Sequence, residues 1–130
     1  MGNATRVLTV LGTRPEIIKL APVIQLLAAR TDRFESFVCA TGQHGQLAEL
    51  ALPAFGIDPH YRLRPTRRSG DLAALTAETL GGLDDVLTSC RPDVVLVQGD
   101  TTSALCGALA ANYCGLRVGH VEAGLRTGDP

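Results

Sequence analysis

Short apolar runs rich in β-branched residues alternate along this chain with longer stretches whose apolar positions recur every three or four residues. Arg6–Leu11 (RVLTVL) is an unbroken run that stops at Gly12, the pattern of a strand covered on both faces. Pro15 suits the first turn of a helix, where a missing N–H costs nothing, and Ile17, Leu20, Ala21, Ile24 and Leu27 follow at helical spacing. Pro22 within that stretch removes the bond to the Ile18 carbonyl and predicts a bend. Phe34–Ala40 reads as a second strand, and Gln43–Phe55 as a second helix stopped by Gly56 and Pro59. Tyr61–Leu63 is a weak third strand. Asp71–Cys90 is a helix with Leu72, Leu75, Thr79, Leu83 and Val86 on its apolar face, interrupted by Gly81-Gly82 and closed by Pro92. Val94–Val97 is the clearest strand. Thr101 or Thr102 can cap the Ala-rich helix that runs to Tyr113, and Arg117–Val121 is a fifth strand.

Five strands with intervening helices predict an α/β fold: one Rossmann-like parallel sheet with helices on both faces, occupying residues 1–130. The length, 130 residues, suits about one domain. At 45% hydrophobic there is material for a core, and with 4% aromatics and no Trp that core is aliphatic. Twelve basic against 13 acidic residues, net −1, exclude an electrostatic nucleic-acid binder. No run approaches the roughly 20 apolar residues of a membrane helix, and Met1–Arg6 has no secretory character. A cytoplasmic protein with neither nucleic acid nor membrane as partner is expected. Cys39, Cys90, Cys106 and Cys114 are scattered, and His44, His60 and His120 supply no ligand pairs. The expectation is no metal and four buried thiols in a reducing compartment.

Ligands of such sheets bind beyond the carboxyl ends of the strands. The residues there are Gly12-Thr-Arg-Pro-Glu16, Thr41-Gly-Gln-His44, Gln98-Gly-Asp-Thr-Thr102 and His120-Val-Glu-Ala-Gly-Leu-Arg126. With strand order 3-2-1-4-5, strands one, four and five are neighbours, and Arg14, Asp100 and Glu122 face one crevice. The first loop lacks G-x-G-x-x-G, which argues against NAD. Gly12 followed by Arg14 at a helix start suits an anion, through backbone N–H groups, dipole and guanidinium, or is an ordinary helix start. Asp100 is an N-cap or an acid/base group. Glu122, at a strand end beside small residues, is harder to explain structurally. His120 reads as a core or supporting histidine facing a helix. Arg62, Arg64, Arg67 and Arg68 could clamp a phosphate, but the commoner reading is a solvated loop.

Four segments together resemble the bacterial non-hydrolysing UDP-N-acetylglucosamine 2-epimerases: Val10–Pro22 (VLGTRPEIIKLAP), Thr41–His44 (TGQH), Pro92–Thr102 (PDVVLVQGDTT) and Val118–Gly128 (VGHVEAGLRTG). The resemblance implies two Rossmann-like domains in a GT-B arrangement, this chain being the N-terminal one and the C-terminal UDP-binding domain lying outside it. It implies interconversion of UDP-GlcNAc and UDP-ManNAc for cell-surface polysaccharide precursors, by elimination of UDP to 2-acetamidoglucal and re-addition, without NAD or metal. Carried over by motif, Asp100 and Glu122 are the acid/base carboxylates, and Arg14 and Lys19 serve the diphosphate and active site. Gln43 and Gln46 match positions that bind a second, regulatory UDP-GlcNAc in some relatives. Ser69 stands where those relatives carry Arg, Gly45 where many have Arg or Lys, and Gln98 where His is common. Relatives are generally homodimers. The 130 residues are expected to be inactive without the second domain or a complementing chain. The competing readings are half of a GT-B glycosyltransferase and a non-catalytic nucleotide-sugar-binding module.

Overall fold

In a computed structural model, residues 3–43, 46–66 and 71–122 are described, with the side chains of residues 46 and 47 left aside. Strands β1 (Thr5–Leu11), β2 (Phe34–Ala40), β3 (Tyr61–Arg62), β4 (Val94–Gln98) and β5 (Arg117–Val121) alternate with helices α1 (Arg14–Ala29), α2 (Gln46–Ala51), α3 (Leu72–Cys90) and α4 (Thr102–Tyr113). The sheet is parallel throughout its described pairs, in the order β3-β2-β1-β4-β5. That is the expected α/β class and strand order. The position of β1 at the centre follows from its composition, since Val7–Leu11 are all buried and only a central strand needs apolar residues on both faces.

Two cores result. Leu8, Val10, Cys39, Val95 and Val97 meet α3 and α4 through Leu83, Val86, Cys106 and Ala110. Leu11, Val38 and Ala40 meet α1 and the α2 region through Ile17, Leu20, Ile24 and Leu52. Helix α4 lies close on the sheet at Gly107, where an added Cβ would stand 2.8 Å from Val97 Cγ1. Its small residues therefore set the approach distance.

Several expectations are modified. The second helix is shorter than Gln43–Phe55: α2 is one turn and a half, and a 3₁₀ turn over Pro53–Phe55 follows, because Pro53 cannot donate inside a helix. Pro22, where a bend is expected, does not end α1 and is on its exposed face, so the carbonyl left without a donor faces water. Leu72 is 62% exposed rather than core, the first residue after the Asp71 cap of α3. Cys39, Cys90 and Cys106 are buried but Cys114 is exposed. Arg62 pairs with Glu49 and Asp58 and Arg64 is exposed; Arg67 and Arg68 lie outside the described residues. No described helix is long and apolar enough to cross a membrane.

Candidate functional site

The ends of β1, β2 and β4 converge on Gly12. A Cβ there would sit 2.2 Å from both Ser103 Oγ and Thr41 Oγ1, so glycine is required by packing. Around it a chain of hydrogen bonds ties the loops together. Thr41 Oγ1 and Ser103 Oγ are 2.8 Å apart, the Ser103 hydroxyl donates to Gln43 Oε1 (2.6 Å), and the Ser103 N–H donates to the same oxygen (3.2 Å). Gln43 thus closes the start of α4 with its side-chain carbonyl. Gln46 opens α2, with its side chain outside the described residues, as are Gly45 and Ser69.

Thr13 and Glu16 form a capping box at α1. Glu16 Oε1 accepts from the Gly12 N–H (3.3 Å), the Thr13 N–H (2.9 Å) and the Thr13 hydroxyl (2.8 Å). The anion-binding potential of this helix start is therefore met in part by a carboxyl of the protein itself. What faces outward is Arg14, an exposed residue that with Leu50, Ala51, Ala54 and Phe55 lines a cavity of about 370 Å³.

On the other side of β1, β4 and β5 pair in register to Gln98↔Val121, so Gly99-Asp100 and Glu122 leave adjacent strands, roughly 4.8 Å apart. The turn is tied across: the Gly99 N–H donates to the Val121 carbonyl (3.1 Å), and His120 Nε2 lies 2.5 Å from the Gly99 carbonyl. His120 is exposed, not packed under a helix as expected, and its contact is with the loop that carries Asp100. Asp100 is itself exposed, and Thr101, not Asp100, caps α4 by accepting from the Ala104 N–H (3.1 Å). The purely structural account of Asp100 as the cap is thereby removed. Gly99 takes a left-handed turn (φ 71) and so does Glu122 (φ 63), a conformation uncommon for a residue with a side chain.

Glu122 Oε2 receives Lys19 Nζ at 2.7 Å and Gln98 Nε2 at 3.2 Å. Lys19 comes from α1, Gln98 from the end of β4, and Glu122 from the end of β5, so three elements meet at one carboxylate. Gln98 is 5% exposed, which makes it a fixed donor. A carboxylate held by an ammonium and an amide is oriented, as a general base requires. The structure thus brings Lys19, Gln98 and Glu122 into contact and sets Asp100 on the neighbouring turn. Arg14 lines the cavity beside the α2 region, and Gln43 bonds Ser103 of α4. Sequence reasoning missed Ser103 and the buried role of Glu16. The spacing Thr13-x-x-Glu16 is a capping-box signal that could have shown the pairing. No group of His, Cys, Asp and Glu among the described residues is arranged to hold a metal.

A family model described as UDP-N-acetylglucosamine 2-epimerase matches residues 27–130. The chain is 51% identical over 124 residues to the UDP-N-acetylglucosamine 2-epimerase of Yersinia pestis, an alignment covering 95% of this chain and 33% of that protein. The crystal structure of UDP-GlcNAc 2-epimerase from Neisseria meningitidis bound to UDP-GlcNAc superimposes with a TM-score of 0.88 at 44% identity, over 96% of this chain and 33% of that one. The glycosyltransferase SsfS6 of Streptomyces sp. SF2575 matches at TM-score 0.62 and 18% identity, covering 89% of this chain and 38% of that one, a likeness of fold alone. The chain spans about a third of the length of the curated relatives it matches.

Proposed function

The chain belongs to the UDP-N-acetylglucosamine 2-epimerase family, and on that footing we infer that it forms one wall of a site that interconverts UDP-GlcNAc and UDP-ManNAc. The observation that carries this reading is the Lys19–Glu122–Gln98 contact beside the Asp100 turn. Epimerisation at C2 without redox chemistry needs a base that removes the C2 proton while the C1–O bond breaks and its electron pair leaves with UDP. A C1=C2 double bond forms, giving 2-acetamidoglucal. The proton then returns to C2 on the other face as UDP re-adds to C1. Asp100 and Glu122 are two carboxylates at adjacent strand ends, suited to the two proton transfers. Arg14 and Lys19 supply positive charge for the departing diphosphate. Lys19 has a second task, since its ammonium holds the Glu122 carboxylate in place before substrate arrives.

The arrangement supplies carboxylates and cations on one face only. A nucleotide sugar in a GT-B cleft is gripped from both sides, so the 130-residue polypeptide is expected to need a second, UDP-binding domain. Gln43 is engaged with Ser103, so a regulatory UDP-GlcNAc that used Gln43 and Gln46 would have to exchange with that contact. The test is turnover of UDP-GlcNAc followed by NMR in deuterated water, on the complete polypeptide that carries this sequence and on the 130 residues alone. The expected result is UDP-ManNAc with deuterium at C2 from the former and none from the latter. Epimerisation that retains the C2 proton would refute the mechanism. Turnover by the 130 residues at an ordinary enzyme rate would refute the need for a second domain.

A further inference from the structure

Glu16 is a fully buried carboxyl, at 0% exposure, that no step of the proposed reaction employs. Its Oε1 takes three hydrogen bonds from Gly12 and Thr13, and the Thr13 hydroxyl accepts in return from the Glu16 N–H at 3.4 Å. Its Oε2 has no hydrogen-bond partner among the described residues. A capping box needs only one oxygen at this position, and Gln serves as well as Glu. Such a residue ordinarily stays at the surface, because burying a carboxyl is costly. The buried carboxyl fixes Gly12 and Thr13, immediately before Arg14. Gly12 in turn packs against Ser103 so closely that a Cβ would stand 2.2 Å from its Oγ, in the first turn of α4 beside the Thr101 cap that follows Asp100.

We propose that Glu16 is a positioning residue, whose buried carboxyl sets the Arg14 turn against the Asp100–Thr101 turn so that cation and carboxylate meet the substrate in one geometry. This assignment rests on the function inferred above. Glu16 touches no reacting atom in it; its effect passes through Gly12 and Thr13 and, from Gly12, to Ser103.

The experiment compares three variants in the complete polypeptide: Glu16→Ala, Glu16→Gln and, as a stability control, Asp71→Ala. Asp71 caps α3 by accepting from the Ala74 N–H at 2.9 Å and stands apart from the site. Glu16→Ala is expected to lower kcat at least tenfold, with KM changed by less. Glu16→Gln keeps the acceptor oxygen and is expected to restore kcat to within about threefold of wild type. Asp71→Ala, a cap loss of similar kind, is expected to leave kcat unchanged. Amide NMR shifts give a second readout that needs no turnover: Glu16→Ala moves the signals of Arg14, Asp100 and Thr101 together, while Asp71→Ala does not. If Glu16→Ala matches the control in kcat, or moves Arg14 without Asp100 and Thr101, Glu16 is a cap and nothing more. If Glu16→Gln is as slow as Glu16→Ala, holding the turns is not its role. Wild-type protein that fails to epimerise sinks the parent function instead, and the NMR comparison still decides the positioning claim.

Discussion

Glu122 projects its carboxylate from a left-handed backbone, a conformation that costs a residue with a Cβ about 1–2 kcal/mol. Such strain persists where neighbours hold it, and here Lys19 and Gln98 do so. Glu122→Gln and Asp100→Asn preserve shape and remove the basic site. Each is expected to lower turnover by about 10²–10⁴, with thermal unfolding little changed; a variant with near wild-type rates would identify its residue as structural. Burial pushes the Glu16 carboxyl above its ordinary value. A carboxyl raised in the folded state contributes stability that is fully present below its unfolded pKa and lost as pH rises through the folded value. Wild type should therefore gain on Glu16→Gln, which cannot titrate, as pH falls from 7 toward 4.5, measured by urea unfolding at several pH values. A constant difference would mean that the two states bind protons alike. Asp100 and Glu122 are visible in the sequence as candidates because each is a carboxylate within two residues of a strand end, Asp100 being open there to a second reading as a helix cap. Glu16 is not legible as buried, since local spacing shows the cap and only tertiary packing shows the cover.

At the level of elements, the site is held by joints between strand ends. Gly12 sits where the β1, β2 and β4 loops touch, with no space for a methyl beside Thr41 and Ser103. Gly12→Ala is expected to destabilise by about 1–3 kcal/mol, the usual cost of overpacking. The loss should be absent in Gly81→Ala, at an open position within α3; chemical denaturation distinguishes them. Equal losses would show that space at Gly12 is not the issue. Strand order and helix positions follow from periodicity because each apolar run has one length and one period. The break in the second helix is less visible, because six helical residues and a 3₁₀ turn present the same apolar spacing as one longer helix. The pairing of Lys19 with Glu122, 103 positions apart, is beyond any local pattern and appears only once β5 is placed beside β4.

Across the whole molecule, chemistry collects at one edge of the sheet and inert groups fill its body. Cys39 is buried to the point that its thiol is pushed up to about 12, by loss of water and then by nearby Cys90. Burial raises Cys90 and Cys106 as well. Thiolate is the reactive form, so alkylation of the native protein at pH 8 should modify Cys114 first, the one exposed thiol of four, and reach the others only on unfolding. Mass spectrometry with and without urea checks this; early labelling of Cys39 would contradict the packing of β2. The central strand has a consequence for synthesis. β1 pairs with β2 at once, but its other edge waits for β4, with Val7 opposite Val94. At roughly 5–20 residues per second on the ribosome, several seconds pass in which the strand with the longest buried run of the fold, Val7–Leu11, has an open side. During that interval the growing polypeptide is a natural client for whatever shields hydrophobic edges until translation delivers its partner.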